Sequence, residues 1–285
     1  MGLNEMRGTG VLHSISFARP TFNLPTLQRS NTKHRIDLAP AHAYVVDTHS
    51  SRTNRPAAMP TVAITGAAGA IGSVTAETFA DAGWDLALID YGDENMASLE
   101  AAFPEAHVVD CDLTDEINTH EAFRSIGEDT ALDAVLGIAG GFAMQAAPEA
   151  TMDDYRRMID INFRTLFNTS RAAWPVLTEQ DRSFLLGVSA PAAVEGQAGA
   201  ALYGASKGAV AGYVTSLDKE GREKGLRASV LYPMGVVDTP ANRDAMPDAD
   251  PTDWIAPREL AEGMLHLATR SPRGHVRELK VHAAA

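Results

Sequence analysis

The chain has 285 residues, 45% of them hydrophobic and 21% charged, which is enough apolar material for one large α/β domain plus an extension. Its formal charge of −13 repels phosphate backbones and argues against a nucleic-acid partner. No apolar run approaches the ~18 residues that a membrane span needs. The single cysteine, Cys111, excludes an internal disulfide and argues against a cysteine-based metal site, so a reducing, cytoplasmic compartment is expected.

The charge is uneven. Residues 1–58 hold seven bases and three acids, leaving 17 bases against 34 acids, or −17, in the remainder. Lysine occurs there only as Lys207, Lys219, Lys224 and Lys280. A surface this acidic and lysine-poor suits a protein working in concentrated salt. Pro20, Pro25, Pro40 and Pro56 interrupt the first 58 residues, where no hydrophobic period persists. They lack the apolar stretch of a secretory signal and read as a disordered extension, an organelle transit peptide or a start set upstream of Met59. His13, His34, His42 and His49 are spaced too irregularly for a metal site, and no metal is expected. The folded domain is assigned to residues 59–285.

From Met59 the pattern alternates. Thr61–Thr65 reads as a short buried strand, followed by the glycine loop Gly66, Gly69, Ala70, Ile71 and Gly72 and a helix from about Ile71 to Ala82. Glycines in this context permit a tight turn and bring backbone N–H groups and a helix N-terminus up to a pyrophosphate. A second strand covers Asp85–Asp90. Its terminal carboxylate, Asp90, suits both ribose hydroxyls of NAD and repels the 2′-phosphate of NADP. The next residues, Tyr91 to Glu94, offer no base to hold such a phosphate, so NAD is favoured over NADP. The third strand, His107–Asp110, leads to Asp112 and Leu113 at the adenine end, while Asp115 reads as a helix cap. The fourth strand, 134–138, is followed by Ala139, Gly140 and Gly141, small enough for backbone to pass close to a cofactor ribose. Strands at 184–188, 227–232 and 276–281 complete the set. Continuous apolar strands separated by helices predict a doubly wound, Rossmann-type parallel sheet of about seven strands, with helices on both faces.

Tyr203 and Lys207 are four residues apart, so on a helix they share one face. A neighbouring ammonium favours phenolate. A drop of roughly three units needs about 4 kcal/mol, which one partly desolvated cation and a positive nicotinamide ring can supply. That expectation yields a proton donor poised near neutral pH.

Together these motifs resemble the short-chain dehydrogenase/reductase family over residues 59–285. The resemblance implies an NAD(H)-dependent oxidoreductase that moves hydride between nicotinamide and a small carbonyl, alcohol or C=N substrate. It implies that Tyr203 is the acid/base, that Lys207 also holds the nicotinamide ribose, and that Asn162 holds a water in a proton relay. Thr239 would contact the carboxamide, with Pro233 and Val237 of the same loop against the cofactor. A homodimer or homotetramer built on the Tyr203 helix is implied as well. The sequence departs from the family in several places. Gly66, Gly69 and Gly72 fall three apart, Gly137-Ile138 replaces an Asn pair, and the loop 233–239 is one residue longer. Ala190 stands where the family has its catalytic serine. Ser189 is adjacent, but neighbours on an extended segment face opposite ways, so it does not take over without local rearrangement. A more local resemblance, including that alanine and the stretch 238–250, is to dihydropteridine reductases. Arg243 in that stretch is open to two readings, a substrate anchor or a surface ion pair. A non-catalytic NAD(H)-binding regulator is the rival of another class.

Overall fold

The computed structural model of the protein describes residues 59–271 and 273–283. The first 58 residues, with their four histidines, lie outside this range. From Thr61 the chain runs β1 (Thr61–Thr65), α1 (Ala70–Asp81), β2 (Asp85–Asp90), α2 (Asp93–Ala102), β3 (His107–Asp110), α3 (Glu116–Asp129) and β4 (Ala134–Gly137). It continues through α4 (Met152–Ile159), α5 (Thr165–Thr178), β5 (Ser183–Val188), α6 (Ala201–Gly221), β6 (Leu226–Met234), α7 (Pro240–Ala245), α8 (Pro257–Thr269) and β7 (Glu278–His282). All seven strands pair in parallel in the order β3-β2-β1-β4-β5-β6-β7.

Side chains alternate across each strand, so successive residues feed opposite layers. From β1, Ala63 packs with Phe123, Leu177 and Val214 of α3, α5 and α6. Its neighbours Val62 and Ile64 pack with Phe79, Leu260 and Met264 of α1 and α8. Both faces are covered, which explains why the central strands read as apolar without alternation. Chain order reverses between β1 and β4, and a crevice opens at the carboxyl ends of the strands there.

Two boundaries differ from the sequence reading. The fourth strand stops at Gly137, because the Ile138 N–H turns to the Leu136 carbonyl and the Thr65 hydroxyl. The last strand starts at Glu278, two residues late. The carbonyls of Val276 and Arg277 already accept from Ser229 and Val230 but lie outside the ladder. One feature had no sequence signal: α4 and α5 form a continuous helix interrupted by a π-helical turn over Asp160–Arg164.

Candidate active site

The glycine loop is shaped by its own backbone. Gly66 has φ +69°, and a Cβ there would stand 2.9 Å from Ala139 Cα, across the switch point. A Cβ on Gly72 would stand 2.0 Å from the Gly66 carbonyl oxygen. Gly69 is less constrained, with one close atom at 3.3 Å. No side chain caps the start of α1, and its first turn carries no acid. The N–H groups there are open to an anion.

The loop forms one wall of a cleft of about 860 Å³, within the size of a small-molecule site. Gly66, Gly69, Ala70, Ile71 and Gly72 line it, with Asp90, Asp112 and Leu113 at one end. Ala139, Gly140 and Thr239 line the other end. An uncapped helix start, a bare glycine and a carboxylate at the strand edge fit a dinucleotide. Asp90 also holds the loop: its Oδ2 accepts the Ala68 N–H at 2.8 Å, and its Oδ1 accepts from Tyr91 N at 2.9 Å and Asn95 Nδ2 at 3.1 Å. Asp112 accepts the Thr114 N–H and hydroxyl through one oxygen, leaving the other for a ligand. Asp115 caps α3, accepting from Ile117 N and Asn118 N.

Pro233 and Val237 do not line the cleft. Pro233 lies within β6, in register with Val281, and Val237 packs in the core with its carbonyl bonded to Asn242 Nδ2 at 2.8 Å. Thr239 caps α7, accepting the Asn242 N–H, and still reaches the cleft.

Beyond Gly140, Asn162 and Lys207 come together, although neither they nor Tyr203 line the cleft itself. Tyr203 and Lys207 sit one turn apart on α6. A Cβ on Gly140 would stand 2.7 Å from Asn162 Oδ1 and 3.0 Å from Lys207 Nζ, so glycine is what lets the strand-end loop reach both. Asn162, in the π turn and 1% exposed, accepts the Gly141 N–H and donates to the Gly141 carbonyl, both at 3.0 Å. π turns of this kind recur at functional sites, and this one turns an amide inward from mid-helix. Lys207 is buried, and its Nζ donates to the Val188 carbonyl at 3.1 Å.

The electrostatics correct one expectation. Burial pushes the Tyr203 phenol up to about 12, with no neighbouring cation lowering it, and pushes the Lys207 ammonium down to about 8. Desolvation disfavours both charged forms and is the one cause of each shift. Cys111, beside Asp112, is likewise raised to about 11 by burial and stays a thiol.

Ser189 and Ala190 face opposite ways. The Ser189 hydroxyl is buried and donates to the Lys207 carbonyl at 2.9 Å. Ala190 is extended at φ −158°. Arg243 takes the surface pairing: its Nε and Nη2 donate to both Asp238 oxygens at 2.6 and 2.8 Å. Two participants escaped the sequence reading. Asn95 positions Asp90. Phe142 meets the Tyr203 ring edge-on, with centroids 4.9 Å apart. An exposed aromatic directly after the Gly140-Gly141 pair was the available signal for the latter.

The chain belongs to the short chain dehydrogenase family, whose sequence profile matches residues 60–250. It is an oxidoreductase of the hydride-transfer type, using a nicotinamide cofactor. An uncharacterized oxidoreductase of Staphylococcus saprophyticus is 27% identical over 235 residues, covering 76% of this chain and 94% of that protein. The NAD(+)-dependent 2-dehydro-3-deoxy-L-rhamnonate dehydrogenase of a Sphingomonas species is 32% identical over 178 residues, covering 60% and 69% respectively. Among solved structures, ElxO with NADP bound superposes with a TM-score of 0.73 at 19% identity, covering 79% of this chain and 98% of that one. Both forms of the cofactor thus occur among similar proteins. No helix of the described residues is long and apolar enough to cross a membrane.

Proposed function

We propose that this protein is an NADH-linked reductase of a small carbonyl or C=N compound, with Tyr203 as its proton donor. The observation that carries this reading is the meeting of Asn162 and Lys207 behind the cleft-lining Gly140, with Tyr203 one helical turn before Lys207. The dinucleotide supplies hydride; the protein supplies position and a proton. Gly66, Gly69, Ala70, Ile71 and Gly72 would cradle the pyrophosphate, Asp112 and Leu113 the adenine, and Ala139, Gly140 and Lys207 the nicotinamide ribose. Thr239, which lines the cleft, would border the carboxamide.

Asp90 supports NAD over NADP. Its carboxylate lines the ribose end, and the one cationic lining residue of the cleft among the described residues, Arg157, is ion-paired with Asp154 at 3.1 Å. A phenol raised to about 12 by burial carries its proton at every ordinary pH but is a weak acid, so donation would depend on the positive nicotinamide ring favouring phenolate as hydride leaves. Lys207, close to half-charged at pH 8, can then return a proton through a water that Asn162 would hold. With Ser189 bonded to Lys207 and alanine at 190, no serine hydroxyl orients the substrate. A missing donor of this kind costs about 10²–10³ in rate unless the substrate replaces it. Such a substrate would carry its own polarity, as a conjugated or activated C=O or C=N does.

The catalytic unit is assigned to residues 59–285 of a cytoplasmic homodimer or homotetramer. Phe163 of the π turn, Phe167 of α5 and Tyr213 of α6 form an aromatic cluster, with Phe167 36% exposed, which suits burial against a second copy. The deciding experiment is Tyr203→Phe, assayed by NADH absorbance against simple ketones and quinonoid dihydropterin. Turnover should vanish while NADH affinity stays within about twofold, because the ring and its packing remain. Near-normal turnover in that variant overturns the assignment.

A further inference from the structure

We propose that an arginine-lined pocket at the amino-terminal edge of the sheet binds an anion of the phosphate class. It lies at the opposite end of the strands from the cofactor cleft. Arg182 immediately precedes β5, Arg227 is the second residue of β6, and Arg277 immediately precedes β7. Together with Arg222 and Arg273 they line a cavity of about 710 Å³.

The charge here inverts that of the molecule. Five guanidiniums face two carboxylates, Asp181 and Asp218, giving +3 with His275 neutral. The rest of residues 59–285 is strongly acidic. Asp218 is already saturated. It takes Arg222 at 2.9 Å, His275 at 2.9 Å, Arg277 at 3.2 Å and the Ala228 N–H at 3.3 Å. It cannot also neutralise Arg182, Arg227 and Arg273.

Arg227 shows what is missing. It is 9% exposed and donates through Nη1 to the Arg270 carbonyl at 2.9 Å, but its Nε–H has no acceptor among the described residues. A buried charged donor left without an acceptor is costly and rare. Burial and the nearby Arg182 both push its guanidinium below the usual range, with Asp218 opposing. The Nε–H itself is closed off from the cavity, but an anion there relieves the crowding of Arg227 against Arg182.

The site is also built before a ligand arrives. Arg182 donates to the carbonyls of Thr269 and Arg270, and Arg270 Nε holds the Gly274 carbonyl at 2.9 Å, fixing the turn that carries Arg273 and His275. Guanidinium forks match paired oxygens, and a tetrahedral dianion offers several pairs to arginines arriving from three strands. A monovalent halide does not.

The test is calorimetric titration of the full chain, held in excess NADH so that the cofactor cleft is filled. Inorganic phosphate and ribose 5-phosphate are compared with chloride at matched ionic strength. Saturable phosphate binding is expected, with NADH affinity unchanged. Arg227→Met and Arg273→Ala should each weaken it by about tenfold or more. Arg273 is exposed, so its variant keeps the test decisive should Arg227→Met fold poorly. Tighter binding of the ester names an organic phosphate as the occupant, and equal binding names the free ion. Heats no larger than those of chloride, or binding unaltered in a folded Arg273→Ala protein, would overturn the proposal.

Discussion

Lys207 is a cation left only 6% exposed, and this has a measurable consequence. Its ammonium falls from 10.5 to about 8 on folding. Between those values the unfolded chain binds more protons, so stability rises with pH through that window. Below pH 8 the full cost, on the order of 3 kcal/mol, remains. Lys207→Met should therefore raise the Tm at pH 7, flatten its rise between pH 8 and 10.5, and abolish turnover. An unchanged Tm–pH slope in the variant would remove the buried-ammonium argument. Asp90 has two jobs, facing the ribose end of the cleft and anchoring the Ala68 N–H. Asp90→Asn keeps an acceptor for that N–H while removing the charge. It should narrow the preference for NADH over NADPH with little loss of stability, as paired titrations would show. The spacing of Tyr203 and Lys207 was legible in the sequence; the sign of their pKa shifts was not. The four-residue interval sets their proximity, whereas burial, which decides the shifts, comes from residues far away in the chain.

At the level of elements, the three glycines that look alike in the sequence divide by what surrounds them. A Cβ at Gly72 collides with the Gly66 carbonyl at 2.0 Å, backbone that cannot yield. Gly72→Ala should destabilise the fold by about 2–4 kcal/mol, read as a drop in denaturation midpoint. Gly69→Ala meets only one atom at 3.3 Å. It should fold nearly normally and lose NADH affinity instead, since its methyl would intrude where the pyrophosphate approaches. Equal effects of the two substitutions on stability would show that Gly69 is structural too. The strand–glycine–helix order was readable because turn chemistry is local. The π turn that aims Asn162 at Gly141 was not, since it depends on two helical segments, α4 and α5, meeting α6 and the loop after β4.

Across the molecule, the acidic surface sets a further expectation. Net repulsion in residues 59–285 should be relieved by salt, so Tm should climb as KCl rises from low to molar concentration, most steeply at the low end. A flat profile would mean that local pairs such as Arg124–Glu128 and Arg171–Glu116 already absorb the excess charge.

Hydrophobic periodicity, glycine placement and the Tyr203–Lys207 interval determined the doubly wound sheet and the loops that frame its cleft. Each of these rests on interactions spanning a few residues, or on a face that must be buried. The tertiary structure alone decided that Ser189 turns away to bond Lys207, that Arg243 closes on Asp238, and that five arginines scattered from 182 to 277 gather under the sheet. Those outcomes depend on which strand ends become neighbours, and that follows from crossover topology and the packing of both faces rather than from any local stretch of chain.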